Sequence, residues 1–421
     1  MIKKTVVVVS LLLISLLCWR FHAFYQEKPE YSDGQGIRLE VVLQEEAELS
    51  NRGQQFAVTD AYNQTIYVTA EAFPRLHYGQ SLSLSGDLQK KELDDGRVLF
   101  SLYYPKVTHQ VNAETVAIGL ASAIRSQSQR LYENTLPPTS ASLLMGIVFG
   151  AKEHFPDDFF DALQATGVLH VIAASGMNVT FIAAALLFGL GAFLRRQLAL
   201  ILGCFGIIFY VFLVGFEPSI IRASIMAILA FGASLFGRQH FAALAVLMSA
   251  YMMLLFQPGF LIDLGFQLSF LATLSIIFIK PLIPLPQNFF TESLSTTLAA
   301  QLGTMPLLLS VFGQFGLLSL LVNALVLWVV PIVMLVGSLS AVLNLIFPPL
   351  AQVIVILALP FLVFFEVVVR YFGTSNWVLD GSAVPWHFGI GYYLFIVAWI
   401  TLKKPSHKPV SLRESLALEK F

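Results

Sequence analysis

Polar and helix-breaking residues interrupt an otherwise apolar stretch of this chain, which reads TGVLHVIAASGMNVTFIA over residues 166–183. They are His170, Ser175, Gly176 and Asn178. An imidazole and an amide find no hydrogen-bonding partner in lipid, and Ser-Gly favours a local helix break, so these groups should face protein or a water-filled cavity. The stretch therefore indicates a conduit or a broken-helix site, and a histidine that only packs in the core is the simpler alternative.

Two further apolar segments begin with charged or polar side chains. EPSIIRASIM contains Glu217 and Arg222, and DLGFQLSF contains Asp263, Gln267 and Ser269. Asp263 and Gln267 are four residues apart and should share one helix face. Arg222 can extend toward the outer interface or pair with Glu217 or Asp263. The alternative is that these charges only fix helix ends at the membrane surface.

Other polar residues indicate structural bonds between or within helices. Asn323 and Gln301 can form hydrogen bonds between helices, and Glu366 and Arg370 are spaced for an intrahelical pair. The sequence contains no HxHxDH cluster or comparable array of metal ligands. We therefore assign no metal, no cofactor and no catalytic residue, and we do not expect an enzyme.

The composition places these residues in a polytopic α-helical membrane protein. The chain has 421 residues, of which 57% are hydrophobic and 12% charged, whereas soluble domains have about 25% charged residues. The net charge of -1 provides no overall attraction for a polyanion. The two cysteines, Cys18 and Cys204, lie in apolar segments and predict no disulfide framework.

Apolar runs and changes of composition divide the chain into five parts. We predict an uncleaved membrane anchor over residues 1–28, an extracytoplasmic β-domain over 34–112, a helical linker over 113–136, a membrane domain over 137–402 and a basic tail over 403–421. With the anchor, about ten transmembrane helices are expected, the others at 168–194, 197–214, 219–236, 240–256, 263–280, 295–312, 316–343, 350–371 and 387–402. Residues 139–150 are too short to span and form a re-entrant candidate. The span around Pro331 could instead be a half-helix followed by a full one.

Five runs of apolar-polar alternation predict strands in the β-domain: IRLEVVLQ, GQQFAVTDA, QTIYVTA, QSLSLSGDL and GRVLFSLYY. A small barrel of the oligonucleotide-binding (OB) type is a fair expectation. Residues 33–112 have a net charge of about -4 (7 basic minus 11 acidic), which is a poor footprint for phosphates. A β-domain that binds no ligand therefore remains an alternative.

The basic residues predict the orientation in the cytoplasmic membrane. If Lys3 and Lys4 are cytoplasmic, the basic loops at 195–196, 238–240 and 280 and the tail are cytoplasmic too. Both termini are then inside the cell and the β-domain is outside.

Four blocks of sequence, in the same order, resemble the ComEC family of competence proteins, which carry single-stranded DNA across the membrane in natural transformation. The blocks are ATGVLHVIAASGMNV, SIIRASIM, QPGFLIDLGFQLSFLATLSI and LLSLLVNALVLWVVP. The resemblance implies a channel that lies in the lipid bilayer and that binds and conducts single-stranded DNA. The residues at matching positions are Gly167, His170, Ser175, Gly176, Arg222, Asp263, Gln267, Ser269 and Asn323.

The chain departs from the family pattern in two respects. The family usually has Leu-His after Ser-Gly, where this chain has Met177-Asn178, so Asn178 replaces a second imidazole in the channel motif. We expect a form without the metallo-β-lactamase-like domain that often ends family members, and the sequence contains no phosphate-binding loop of the Walker type. A separate DNA receptor, nuclease and cytoplasmic ATPase are therefore expected partners, along with a possible homo-oligomer. Two other functions stay open: a secondary transporter of a small polar solute, and a non-conducting membrane scaffold.

Overall fold

The computed structural model describes most of the chain. The described residues are 2–26, 31–43, 47–50, 53–60, 64–76, 79–92, 98–109, 116–151, 155–172, 175–237, 241–284, 289–312, 314–316, 319–373, 378–380 and 386–402. The side chain of His170 is not among the described groups, and neither is the basic tail.

The N-terminal part of the chain folds into a curled seven-stranded sheet, a half-barrel. Its strands are β1 (Gln35–Val42), β2 (Glu48–Ser50), β3 (Gly53–Thr59), β4 (Thr65–Ala70), β5 (Ser81–Glu92), β6 (Val98–Tyr103) and β7 (Lys106–His109). The order is β1-β5-β6-β4-β3-β2, β7 also pairs with β5, and only β4 and β6 are parallel. The five predicted strand runs correspond to β1, β3, β4, β5 and β6.

Alternation along the strands builds the core of this sheet. In β3 the burial alternates from Gln54 to Thr59, and Ile66, Leu84 and Leu102 from the neighbouring strands are fully buried. Within the described residues, β1 and β2, at the two ends of the strand order, do not pair with each other. Closure into an OB-like barrel therefore stays a prediction.

The rest of the chain is almost entirely helical. The helices are α1 (Ile2–Gln26), α2 (Val116–Thr135), α3 (Pro138–Phe149), α4 (Asp157–Ala165), α5 (Leu169–Ile172), α6 (Gly176–Phe193), α7 (Arg196–Val214), α8 (Pro218–Leu235), α9 (Ala242–Phe256), α10 (Leu264–Phe278), α11 (Phe289–Phe312), α12 (Ser319–Val326), α13 (Val329–Asn344), α14 (Pro348–Ile356), α15 (Leu359–Gly373) and α16 (Trp386–Leu402). Short 3-10 helices cover Pro258–Ile262 and Lys280–Leu282, and β8 (Gln314–Gly316) pairs with β9 (Val378–Asp380).

Several of these helices are long and apolar enough to cross a bilayer. Among the described residues five meet that condition: α6, α7, α8, α10 with the turn that follows it, and the part of α11 from Leu294 to Val311. Two bent pairs, α12 with α13 and α14 with α15, raise the number to seven if each pair is one span. This fits a multi-pass membrane protein, whereas the count of ten spans and the orientation stay predictions.

The bent pairs explain the long apolar runs near the C-terminus. The axes of α12 and α13 differ by 48°, and those of α14 and α15 by 41°. Pro331 and Pro360 lie in the first turns of α13 and α15, where the missing N–H breaks no helical hydrogen bond. The run around Pro331 is thus divided into two helices, α12 and α13, and its interpretation as a half-helix followed by a full one stays a prediction.

Helix α3 lies inside the protein. Nine of its twelve residues are buried, and at about 1.5 Å per residue it is too short to cross the hydrocarbon layer. It packs against α2, α7, α13 and α15. Gly337 of α13 permits the close contact, since a Cβ there would lie 2.7 Å from side-chain atoms of both Leu144 and Val148. The re-entrant candidate is thus surrounded by protein.

Helix α1 is attached to the bundle through α9. The Arg20 side chain donates hydrogen bonds to the carbonyl oxygens of Leu255 (3.1 Å) and Phe256 (3.2 Å), at the end of α9. The Tyr251 hydroxyl donates to the carbonyl oxygen of Leu13 (3.2 Å). Arg20 thus satisfies carbonyls that the helix itself leaves without partners.

Candidate functional site

The helix is interrupted next to the Ser175-Gly176 pair, as the sequence predicted. Helix α5 contains His170 and ends at Ile172, Ser175 is extended (φ -112°, ψ 163°), and α6 begins at Gly176. No side chain caps α6, because the Ser175 hydroxyl donates to Oδ1 of Asn178 (3.3 Å) instead of accepting a backbone N–H.

Asn178 connects α6 to the buried helix α3. The exposed fraction of Asn178 is 0%, and its Nδ2 donates to the carbonyl oxygen of Ile147 (2.9 Å). The Tyr210 hydroxyl of α7 donates to the next carbonyl oxygen, that of Val148 (3.2 Å). Both acceptors lie in the last turn of α3, where carbonyls have no partner within their own helix. Asn178 thus has a structural role in this arrangement, and its place in the lining of a conduit stays a prediction.

Arg222 is buried one turn into α8. Its residue exposure is 8%, and its Nε donates to the Ser269 hydroxyl of α10 (2.8 Å). Its Nη1 contacts the Met226 sulfur (3.5 Å), and the guanidinium carbon lies 5.6 Å from the centroid of the Phe270 ring. In the described part of the chain no carboxylate oxygen lies within 4 Å of the guanidinium nitrogens.

The two expectations for Arg222 are therefore wrong. It neither pairs with Glu217 or Asp263 nor extends into solvent, because Ser269, Phe270 and Met226 enclose it. These contacts follow from the packing of α8 against α10, which the spacing along one helix does not predict.

Gly176 allows Arg222 to lie directly against the start of α6. A Cβ at position 176 would be 2.9 Å from Nη2 of Arg222 and 3.2 Å from Cβ of Ala223. Because Ser269 holds the same guanidinium from α10, the first two turns of α6, α8 and α10 meet around one cation. Gly176, Arg222 and Ser269 thus come together, a grouping that the sequence did not predict.

Asp263 and Gln267 stabilise the start of α10 instead of forming a shared binding face. Oδ1 of Asp263 accepts a hydrogen bond from the backbone N–H of Phe266 (2.8 Å), as an N-cap residue does. Nε2 of Gln267 donates to the carbonyl oxygen of Leu261 (2.8 Å) in the preceding turn. Asp263 and Gln267 thus act as the alternative interpretation predicted, because both fix a helix end.

Gly167 and Asn323 belong to a second group of contacts, around α12. Gly167 has φ +69°, and a Cβ there would lie 2.8 Å from Cβ of Ser319. The Ser319 hydroxyl accepts from Nε2 of Gln301 (2.7 Å), which confirms the predicted bond between helices. Asn323 is 1% exposed, and its Oδ1 has no hydrogen-bond partner among the described residues.

Sequence reasoning missed several residues of both groups. Met226 could have been found from its i, i+4 spacing to Arg222. Ile147, Tyr210 and Ser319 carry no local signal, because each meets its partner through tertiary packing. No group of three or more His, Cys, Asp or Glu residues in the described ranges could hold a metal ion.

Comparisons with known proteins identify the family. The family model described as competence protein matches residues 147–405, and no solved structure matches the chain. ComE operon protein 3 of Bacillus subtilis is 32% identical over 213 residues, which are 50% of this chain and 27% of that protein. An uncharacterized protein of Aquifex aeolicus is 30% identical over 207 residues (49% and 48%), and the uncharacterized protein YcaI of Escherichia coli is 24% identical over 261 residues (58% and 34%). The matched region thus spans less than half of each relative. Because the family model covers more than half of its residues, the chain belongs to the competence protein family.

Proposed function

We propose that this protein is a channel subunit through which single-stranded DNA crosses the cytoplasmic membrane during natural transformation. The observation that carries the proposal is the competence family match over residues 147–405, which includes the broken segment at Ser175 and both bent helix pairs. Competence is the capacity to take up DNA, and a multi-pass bundle with polar groups at helix breaks supplies a suitable place for the passage.

The polar groups at the helix breaks would form hydrogen bonds to the DNA strand in place of the water that surrounds it in solution. A phosphodiester chain cannot cross an apolar layer without hydrogen-bond donors, and helix starts that line a cavity provide them. The meeting point of α6, α8 and α10 offers such donors together with the guanidinium of Arg222. Energy would come from a cytoplasmic ATPase or from the membrane gradient, and a DNA receptor and a nuclease are further proposed partners.

Uptake in a transformable host that lacks its own channel tests this function. Labelled DNA should enter a nuclease-protected cytoplasmic pool when the chain is expressed, and entry should fall in the double variant His170→Ala with Asn178→Ala. Thr180→Ala is the matched control, because this hydroxyl is exposed and bonds only to the carbonyl oxygen of Gly176 in its own helix (3.0 Å). No entry by the wild-type chain, with its presence in the membrane verified, would refute the channel proposal.

One observation favours a second function, transport of a small polar solute. The bent pair α12–α13 holds the buried Oδ1 of Asn323, which lacks a partner within the described residues, and discontinuous helices with unpaired polar groups are typical of transporter binding sites. Proteoliposomes loaded with a pH indicator distinguish the two functions. Solute-dependent proton flux that Asn323→Leu abolishes, without any DNA entry, would favour the transporter.

A further inference from the structure

The guanidinium of Arg222 is a buried cation, and the described residues provide no carboxylate that neutralises it. It is 8% exposed, and the described residues within 4 Å of its nitrogens include no Asp or Glu. A buried charge is tolerated when an opposite charge or a full set of hydrogen bonds compensates it. Arg222 has one bond to a hydroxyl, one contact to a sulfur and the face of one ring. These neutral groups leave the positive charge uncompensated.

The Nη2 atom of Arg222, which has the fewest contacts, lies beside another positive group, the start of α6. No hydrogen bond joins Nη2 of Arg222 to a described residue, and Nη2 is the atom that a Cβ of Gly176 would meet at 2.9 Å. Gly176 is the first residue of α6, whose start carries a partial positive charge and has no side-chain cap. Two positive groups side by side in an apolar bundle repel each other unless an anion contacts both of them.

Nearby carboxylates do not supply that anion. Glu217 and Asp263 precede α8 and α10 at the same end of the bundle, yet neither is within 4 Å of the guanidinium. Asp263 already accepts the Phe266 N–H as the cap of α10. Among the described residues, therefore, no anion faces the guanidinium.

We propose that Arg222 and the first turn of α6 form a binding site for a phosphate group, with Ser269 holding the guanidinium in place. The inference rests on the proposed function in one respect: in the channel, the occupant is a phosphodiester group of the passing DNA strand. A phosphate offers several acceptor oxygens, so it can accept from Nη2 and from backbone N–H groups of the helix start at once. Gly176 allows Nη2 to lie directly beside this helix start, because a Cβ at that position would be only 2.9 Å from Nη2.

Binding of a fluorescent single-stranded oligothymidylate to the full chain in phosphatidylcholine nanodiscs tests the site. Arg222→Gln should weaken binding about tenfold or more, as expected for the loss of a charged hydrogen bond. The slope of log Kd against log salt should fall by about 0.7, the value for one phosphate contact on a single strand. Gly176→Ala should weaken binding too although it changes no charge, and Arg222→Lys should restore part of it.

Matched controls separate this site from a general charge effect. Arg370→Gln removes an arginine that Glu366 and Asp158 already neutralise, so Kd should stay unchanged. An oligonucleotide with an uncharged methylphosphonate backbone should bind wild type and Arg222→Gln equally weakly. Ser269→Ala keeps the charge of Arg222 but removes its hydrogen-bond partner, and it should give an intermediate loss. Melting temperatures of all variants show whether a loss of binding reflects unfolding.

The outcomes separate the phosphate site from the proposed function. If wild type and Arg222→Gln bind the oligonucleotide with equal Kd and equal salt slope, the phosphate site is refuted, whatever the uptake assay gives. If wild type binds no oligonucleotide but retains inorganic phosphate or phosphatidylglycerol in an Arg222-dependent way, the site stands, its occupant is a free phosphate or a lipid headgroup, and the DNA function fails. If wild type binds none of these probes, the site is refuted.

Discussion

Asn178 and Arg222 show two ways in which a bundle can hold a polar side chain. The amide of Asn178 has both ends occupied, with Nδ2 on the Ile147 carbonyl and Oδ1 on the Ser175 hydroxyl. Arg222 has one strong bond, to Ser269, and keeps an unused nitrogen and an unmatched charge. A satisfied polar group contributes to stability, whereas an unsatisfied one indicates a binding role.

Replacement of Asn178 by alanine should therefore act first on stability. The variant leaves the Ile147 carbonyl buried without a donor, which costs about 1–3 kcal/mol. Thermal unfolding of the purified protein measures the loss, and Thr180→Ala, on the exposed side of the same helix, should stay within about 0.5 kcal/mol of wild type. Equal melting temperatures for both variants would show that the bond to α3 contributes nothing.

The residue types of the site were predictable from the sequence, but most of their partners were not. The break at Ser175 and Gly176 follows from polar and flexible residues in an apolar run. The Ile147 acceptor is 31 positions from Asn178, and Ser269 is 47 positions from Arg222. Helical periodicity indicates which face a residue occupies, and the packing of helices then selects its partner.

At the scale of helices, hydropathy predicted which segments are apolar. It did not predict which of these segments are bent. The run of residues 316–343 is long enough for one span, yet it bends by 48° between α12 and α13. Helix α3 was recognised as too short to cross, but its enclosure depends on distant residues such as Gly337 and Tyr132, whose hydroxyl donates to the Gly337 carbonyl (2.8 Å). The strands of the β-domain were predictable because their alternation is local, whereas the pairing order is a tertiary property.

The contact between α4 and α15 should depend on pH. The Arg370 guanidinium donates to the Asp158 carboxylate, which holds the pKa of Asp158 below its ordinary value of 3.8. Because the folded-state pKa is the lower one, the contact stabilises the folded chain above the unfolded-state pKa and is lost as the pH falls through the folded-state pKa.

Hydrogen exchange of the α4 amides measures this contact. After correction for intrinsic exchange rates, protection should be constant near neutral pH and should fall at a pH below about 4. Asp158→Asn should have the lower protection near neutral pH, should match the wild type at low pH and should show no such transition. An unchanged transition in that variant would assign the pH dependence to another carboxyl group.

At the scale of the whole molecule, the β-domain and the helical bundle have separate hydrophobic cores. The core of the sheet includes Ile66, Leu84 and Leu102, and it shares no residue with the main core of the bundle, which is centred on α3 and α13. A separate core is the physical requirement for independent folding. We therefore expect the fragment of residues 31–109 to fold without the membrane domain.

The charge of this fragment predicts that it does not capture DNA electrostatically. With a net charge of about -4 over residues 33–112, its Kd for single-stranded DNA should be weaker than about 10⁻⁴ M at physiological salt, the weak limit for non-specific binding. Tyr67 and Tyr103 are half exposed on neighbouring strands and could stack on bases, but stacking must overcome the repulsion.

Fluorescence anisotropy on the fragment measures Kd. Circular dichroism verifies that the tested fragment is folded, with Leu84→Ala as the comparison, because this variant should lose about 2–5 kcal/mol of the free energy of unfolding. Tight, salt-sensitive binding by the folded fragment would contradict this prediction, whereas weak binding leaves the proposed phosphate site around Arg222 as the candidate for contact with DNA.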